Sequence, residues 1–353
     1  MLFSSQPEWA DVTPTPQLEA PGEPVVRIRY DEDYEDAMGL LRSLMAKQEL
    51  SDRALHLTSV VIFMNSAHLT VWEYRRCILR ALNSKARWLA ELEFMHEVNE
   101  LNTKNYQLWN HRRAVVEVLL PSDTEERRRA SLLKGETLES EHTLDKELEH
   151  IEEVFESDAK HYHAWAHRQW VAERHGCWKR ELALTEEMIE RDPHNNSAWN
   201  YRFYVIQSCG VSSGSLQAHV AHAIGALERG LDNEAVYAFL LGLLFRVPHR
   251  KAPQEDVAAV IQGLLTERQG GGARWVSFQA TLSYSLALRL AGLEDGNLML
   301  WTSPAFSSLP CPKALAQSAL KKWEWLKMAD GVRKGAYELK IKIALSTIRT
   351  LPE

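Results

Sequence analysis

From Asp31 onward the apolar positions of this chain follow helical spacing. The first stripe falls at i, i+3, i+4, i+7 and i+8, as in an amphipathic helix, and consists of Ala37, Leu40, Leu41, Leu44 and Met45. The same spacing returns over 57–64 after Ser51, a residue type that favours helix N-caps. These patterns predict an all-α protein in which helix follows helix.

Four segments align without gaps, and each carries Trp-x-x-Arg. They are NSAHLTVWEYR (65–75), NTKNYQLWNHR (102–112), DAKHYHAWAHR (158–168) and DPHNNSAWNYR (192–202). The tryptophans are 37, 56 and 34 residues apart, and the long interval contains a charge-rich stretch at 121–143, which we interpret as an exposed insertion. A second helix containing Glu-Leu follows three of the motifs, so the repeat is a helical hairpin of about 34 residues.

A hairpin of this size cannot bury its own apolar faces, and stacking on its neighbours completes the core. The expected fold is a right-handed α-α superhelix, a crescent-shaped solenoid of helical hairpins. A degenerate fifth unit is predicted at 232–244, where Tyr237 replaces the tryptophan. Residues 1–25 are rich in proline and predict a flexible or draped N-terminal arm. We expect residues 26–353 to form one repeat domain with its insertion.

The recurrence of the Trp-x-x-Arg pairs favours a structural role. Residues at i and i+3 share one side of a helix, where the indole would fill the gap between hairpins and the guanidinium would donate to carbonyl groups of a neighbouring helix. The pairs are Trp72 and Arg75, Trp109 and Arg112, Trp165 and Arg168, and Trp199 and Arg202. Each unit also opens with Asn or Asp, which caps a helix or closes a turn.

Three histidines, His161, His163 and His167, include an i, i+4 pair with the spacing of helical zinc ligands. However, His111 occupies the repeat column of His167, and this recurrence fits packing better than metal binding. The four cysteines contain no C-x-x-C pair and predict neither a disulfide framework nor a zinc knuckle. We therefore expect no metal site in this chain.

Charge and hydropathy exclude further classes. The formal net charge of −7 disfavours a broad nucleic-acid-binding surface. No apolar stretch approaches the roughly 20 residues that a membrane span requires. The N-terminus lacks the pattern of a secretory signal, so the cytoplasm is the expected compartment. Nucleotide-binding loops and hydrolase or metalloprotease motifs are absent from the sequence.

Two lysines, Lys104 and Lys160, share one repeat column just before the turn into a helix. A lysine here is either a solvated turn residue or a cation that pairs with an anionic ligand such as a diphosphate. The residues alone leave both interpretations open.

The segments NYQLWNHRR (105–113), HYHAWAHRQWV (161–171) and NNSAWNYRFYVI (195–206) resemble the prenyltransferase α-subunit repeat. The stretches 11–17, 27–44, 51–76 and 330–337 are similar to the α subunits of the farnesyl- and type I geranylgeranyltransferases. The resemblance therefore extends over nearly the whole chain. Two departures are His161 and His68-Leu69, which stand where the family usually has Asn and Asn-Tyr.

The resemblance implies a crescent of hairpins wrapped around a β subunit that holds the catalytic Zn²⁺. The implied reaction transfers a farnesyl or geranylgeranyl group from its diphosphate to the cysteine of a C-terminal CaaX motif, in proteins such as small GTPases. Mg²⁺ is implied for farnesyl transfer. Lys160 would reach the diphosphate leaving group, Tyr162 would flank it, His163 would lie near the CaaX carboxylate, and Asn195 would support substrate binding.

Two alternatives remain open at this point. One is a non-catalytic helical-repeat scaffold that binds other proteins. The other is the α subunit of the Rab-specific geranylgeranyltransferase, although the N-terminal motifs are less similar to it. The sequence does not decide which isoprenoid is transferred, since the β subunit would define the depth of its pocket.

Overall fold

The computed structural model of this chain describes residues 2–17, 29–120, 144–209, 213–229, 233–245, 254–266, 273–291, 293, 307 and 309–352. Every regular element in these residues is helical, which confirms the predicted all-α class. The chain divides into two compact units, Met1–Gly176 and Cys177–Glu353, each described separately below. The predicted insertion at 121–143 lies outside the described residues.

The first unit contains seven α-helices among its described residues. They are α1 Glu32–Ala46, α2 Asp52–Met64, α3 Leu69–Leu82, α4 Lys85–Leu101, α5 Tyr106–Leu119, α6 Leu144–Ser157 and α7 Tyr162–His175. The predicted cap of α2 is present, because the Ser51 hydroxyl accepts from the backbone N–H of Ala54. Neighbouring helices pair as antiparallel hairpins, and α3, α5 and α7, which carry the Trp-x-x-Arg motifs, contact one another in succession.

The second unit continues the pattern with eight described helices. They are α8 Trp178–Arg191, α9 Asn196–Cys209, α10 Ser213–Glu228, α11 Glu234–Phe245, α12 Gln254–Leu265, α13 Ala273–Leu290, α14 Pro312–Ala329 and α15 Lys334–Thr347. Helices α9, α11 and α13 contact in succession, and α13, α14 and α15 close the chain around Trp323, Tyr337 and Ile341. The degenerate fifth repeat is confirmed as a helix, with Tyr237 buried in the position of the tryptophan.

The described part of the N-terminal arm is packed rather than flexible. Trp9 is buried against the first hairpins, and the Arg53 guanidinium lies 5.5 Å from the centroid of its ring. Backbone N–H of Thr15 donates to the carbonyl of Gly39 at 3.0 Å, and the Ser43 hydroxyl donates to the carbonyl of Thr13 at 2.6 Å. The proline content suggested flexibility, but one buried indole and these long-range hydrogen bonds supply the interactions that order the segment.

Candidate functional site

The arginine of each repeat binds deep inside the hairpin stack. Arg75 forms a bidentate pair with Glu91 of α4, with N–O distances of 2.5 and 2.7 Å, and Arg112 pairs in the same way with Glu147 of α6 at 2.8 and 2.8 Å. The carboxylates also accept from the histidine of the next repeat at 2.7 Å. Each such Arg–Glu–His rung joins three helices through groups that are almost fully buried.

The electrostatics of a rung follow from its burial and its charges. Burial alone would raise the pKa of Glu91, but the Arg75 charge and the His111 hydrogen bond bring that pKa down to about 2. Burial lowers the pKa of His111, although Glu91 opposes the shift, so its ring stays neutral and its Nε2–H donates to the carboxylate. The same description holds for His167, which confirms the packing role predicted for it.

Backbone carbonyls of the predicted type also accept from the arginines. Arg168 donates to the carbonyl of Leu148 at 3.2 Å, and Arg202 donates to that of Leu182 at 3.1 Å. Sequence analysis missed the bidentate carboxylates, although the recurring Glu-Leu pair was visible in it. The second half of the recurrence, a glutamate at a position that must be buried for the hairpin to close, was the available signal.

The tryptophans tie each inner helix to the turn before it. Every indole Nε1–H donates to the carbonyl six residues earlier, at distances between 2.8 and 3.2 Å; the acceptors are those of Ser66, Thr103, Ala159 and Pro193. Three of these carbonyls also accept from the first capping residue of the following repeat, through Asn105 Nδ2, His161 Nε2 and Asn233 Nδ2. Both lone pairs of such a carbonyl are thereby used, and consecutive turns are fixed in register.

The Asn or Asp that opens each repeat closes its turn, as expected. Asp158 Oδ1 accepts from the backbone N–H of Lys160 at 3.0 Å, while Asp158 Oδ2 pairs with the Lys104 ammonium at 3.0 Å. One carboxylate thus connects the two lysine-bearing turns. The hydrogen bond from Lys104 is the main reason that the pKa of Asp158 lies below its ordinary value. The Lys160 side chain is exposed at this turn.

The residues beside Lys160 form an aromatic cluster at the start of α7. The rings of Tyr162 and His163 lie 3.9 Å apart between centroids, and the Tyr106 ring of the preceding repeat lies 6.0 Å from His163. Tyr106 and Tyr162 expose 61% and 60% of their surface, which leaves two large aromatic faces open to solvent. The predicted site residues Lys160, Tyr162 and His163 therefore share one exposed edge of the first unit.

His163 is the one member of this cluster with a buried polar atom that lacks a partner among the described residues, its Nε2. Partial burial, together with the neighbouring His161, lowers the pKa of His163, while a hydrogen bond to the backbone of Lys104 opposes the shift. A neutral ring at neutral pH leaves one nitrogen able to hydrogen-bond a ligand at the open edge.

Asn195 lies in the second unit and has a capping role there. It is buried, and its Oδ1 accepts from the backbone N–H groups of Ser197 and Ala198 at 3.0 and 3.2 Å. The part of the chain that the structure describes contains no group of three His, Cys, Asp or Glu side chains that could hold a metal ion. Likewise, no described helix combines the length and apolarity that a bilayer crossing demands.

Comparison with known proteins places this scaffold. The protein prenyltransferase alpha subunit repeat matches residues 88–119, 144–175 and 178–209, which coincide with three of the hairpins described above. The chain belongs to the prenyltransferase alpha-subunit repeat family. In members of this family the hairpins are the conserved unit of description, and here the Arg–Glu–His rungs lie within the matched segments.

Relatives of this prenyltransferase-repeat chain are similar over part of their length. The protein farnesyltransferase/geranylgeranyltransferase type-1 subunit alpha of Candida albicans is 37% identical over 115 residues, 33% of this chain and 37% of that protein. Its counterpart from Schizosaccharomyces pombe is 41% identical over 110 residues, 31% of this chain and 36% of that protein. The chain thus matches a little over a third of the length of these relatives.

The fold is similar over a much longer stretch. A solved structure of Candida albicans protein geranylgeranyltransferase-I complexed with GGPP superimposes with a TM-score of 0.70. The match covers 96% of this chain and 99% of the compared chain at 22% sequence identity. At that identity the comparison establishes a shared helical-repeat fold, and the chemistry is argued separately below.

Proposed function

We propose that this chain is the α subunit of a heterodimeric, zinc-dependent protein prenyltransferase. It would transfer a farnesyl or geranylgeranyl group from the isoprenoid diphosphate to the cysteine of a C-terminal CaaX motif, in substrates such as small GTPases. The observation that carries the proposal is the arrangement of Lys160, Tyr162 and His163 on the open edge of a prenyltransferase-type repeat. The reaction would take place in the cytoplasm.

The part assigned to Lys160 is stabilisation of the leaving group. When the bond between isoprenoid C1 and the diphosphate oxygen breaks, negative charge grows on the diphosphate, and a fixed ammonium lowers the free energy of that transition state. The turn that carries Lys160 is held by Asp158 and by the indole of Trp165, which donates to the carbonyl of Ala159 at 3.1 Å. A cation on a well-ordered turn loses little entropy when it meets the diphosphate.

Tyr162 and His163 are assigned to substrate contact. The exposed phenol of Tyr162 would flank the diphosphate and donate a hydrogen bond to it. The unpartnered Nε2 of His163 would lie near the carboxylate end of the CaaX peptide. Asn195 is assigned to support of the site through the cap that it forms, because its Oδ1 is already committed to backbone N–H groups.

A β subunit would supply what the described residues do not hold. Since they contain no three-ligand metal cluster, the Zn²⁺ that makes the substrate thiol a thiolate would be bound by that partner. Mg²⁺ would accompany the diphosphate in farnesyl transfer. The β subunit would also determine which isoprenoid fits.

The decisive experiment is co-expression with candidate β subunits, followed by measurement of zinc content and of transfer from each diphosphate to a CaaX peptide. Lys160→Ala in the active heterodimer should slow single-turnover transfer by roughly 10- to 1000-fold, with little change in peptide affinity. Lys104→Ala is the matched control, because Lys104 occupies the same turn one repeat earlier and pairs with Asp158. We expect it to retain most of the activity.

Two results would contradict the proposal. Unchanged single-turnover transfer in Lys160→Ala, or an equal loss in both variants, would remove the specific assignment of Lys160. A stable, monomeric chain that binds no barrel-type β subunit would favour a scaffold function, since an obligate partner buries well over 2,000 Å² as a rule. Transfer to Rab proteins only, without activity on a short CaaX peptide, would indicate the Rab-specific enzyme.

A further inference from the structure

The residue that caps α7 is unlike the caps of the equivalent helices. At this position α5 has Asn105, whose Oδ1 accepts from the backbone N–H of Gln107 at 2.8 Å and whose Nδ2 donates to the carbonyl of Ser66 at 2.7 Å. In α7 the same two bonds are made by His161. Its Nδ1 accepts from the N–H of Ala164 at 3.2 Å, and its Nε2 meets the carbonyl of Thr103 at 2.8 Å.

These partners determine the protonation state that the cap requires. A carbonyl can only accept, so Nε2 must carry the hydrogen, and a backbone N–H can only donate, so Nδ1 must be unprotonated. The ring is 1% exposed, so water cannot replace either partner. Only the neutral Nε2–H form of His161 therefore reproduces both hydrogen bonds of the asparagine cap.

Protonation would reverse the polarity of one bond. An N–H on Nδ1 would point at the N–H of Ala164, and the ring would carry a positive charge at a helix N-terminus, where the helix dipole disfavours cations. The other repeats with a capping asparagine have no titratable group at this position. The helix that begins next to Lys160, Tyr162 and His163 is thus the one whose first turn depends on a neutral histidine.

Other charged and titratable groups surround the ring within the first unit. Asp158 and Lys160 flank it in its own turn, Lys104 lies in the preceding turn, and His163 has its ring centroid 6.1 Å away. The Tyr162 ring is stacked at 6.3 Å, and the neutral Trp109 ring of α5 lies at 5.4 Å. The Asp158 carboxylate, which would favour a histidine cation, is already bound by Lys104 and by the backbone N–H of Lys160.

We propose that His161 is a positioning residue whose neutral Nε2–H form orders the start of α7, so that acidification loosens the turn that presents Lys160, Tyr162 and His163. The effect on transfer rests on the proposed function. The effect on the first turn of α7 does not, because it follows from the two hydrogen bonds alone.

The test compares the full-length chain with His161→Asn and His161→Ala by hydrogen–deuterium exchange from pH 8 to pH 5, in fragments that resolve the Ala164 amide. Asn keeps both bonds at every pH, so the ratio of the wild-type to the His161→Asn exchange rate should be near one at pH 8. It should rise about tenfold as the pH falls, the effect of losing a helix cap. His161→Ala should exchange faster by a similar factor at both ends of the range.

An internal control is the Leu108 amide of α5, capped by Asn105, for which the same ratio should stay at one throughout. A flat ratio at Ala164, or rapid exchange of His161→Asn at pH 8, would overturn the proposal. In the active heterodimer, transfer by the wild type should decline relative to His161→Asn on acidification. A heterodimer without any transfer activity would refute the proposed function, while the exchange ratios would still decide the role of His161.

Discussion

Glu91→Gln isolates the contribution of one buried rung to stability. The substitution preserves the shape of the side chain but removes the charge that Arg75 binds through two hydrogen bonds. It also places an amide N–H against the guanidinium, which has donors only. Arg75 would remain 3% exposed in the core without a counter-charge.

The expected loss can be worked out from the carboxylate itself. The pKa of Glu91 falls from 4.5 to about 2 on folding, and at 1.36 kcal/mol per unit this corresponds to about 3 kcal/mol for the ionised form. Breaking a buried ion pair by removing one partner costs about 3 to 5 kcal/mol. The two figures agree, and for a unit of this size they correspond to a decrease in Tm of roughly 6 to 20 °C.

The sign of the pH dependence follows from the lowered pKa. The stabilisation is fully present above the unfolded value of 4.5 and is lost as the pH falls through about 2. At neutral pH the wild type should therefore show the whole difference. The variant should approach the wild type only under strongly acidic conditions.

Urea and thermal unfolding at pH 7, followed by circular dichroism, measure the change. Glu97→Gln is the control, since this glutamate is exposed on the same helix and should alter the free energy of unfolding by less than about 0.5 kcal/mol. Arg75→Met should restore part of the loss when combined with Glu91→Gln, because it removes the unpaired charge. If Glu91→Gln is no more destabilising than Glu97→Gln, the rungs do not stabilise the hairpin stack in the way described.

Three further predictions concern other positions. Burial, reinforced by the Arg112 charge, lowers the pKa of His150 to about 3, so the stability it contributes above pH 6.5 should be lost as the pH falls toward 3, and His150→Gln should flatten the decline in urea midpoint between pH 7 and pH 5. Arg202 has no acceptor for its Nε among the described residues, so Arg202→Met should destabilise the protein by about 1 kcal/mol or less, compared with about 3 to 5 kcal/mol for Arg112→Met in the same unfolding assay. Gly39→Ala would place a Cβ 2.9 Å from the Cβ of Pro14, and it should lower the free energy of unfolding by about 1 to 3 kcal/mol and speed proteolysis of the N-terminal arm.

Much of the scaffold was determined by sequence spacing alone. Four aligned Trp-x-x-Arg segments were enough to predict helical hairpins, their stacking and the divergent fifth unit, because a repeated apolar pattern can be buried only if each unit meets a similar neighbour. The column shared by His111 and His167 likewise indicated packing, and both rings lie on buried carboxylates. Local periodicity is sufficient for such features, since they depend on what each helix face presents.

The tertiary structure decided which partners those faces meet. The sequence does not show that Glu91 and Glu147 take both the arginine of one repeat and the histidine of the next, because the rung joins residues up to 35 positions apart. Nor does it show that the arm is anchored by Trp9, or that Asp158 links the turns of Lys104 and Lys160. Polar contacts of this kind are set by the three-dimensional register of the hairpins, in which distances of a few tenths of an ångström decide whether a hydrogen bond forms.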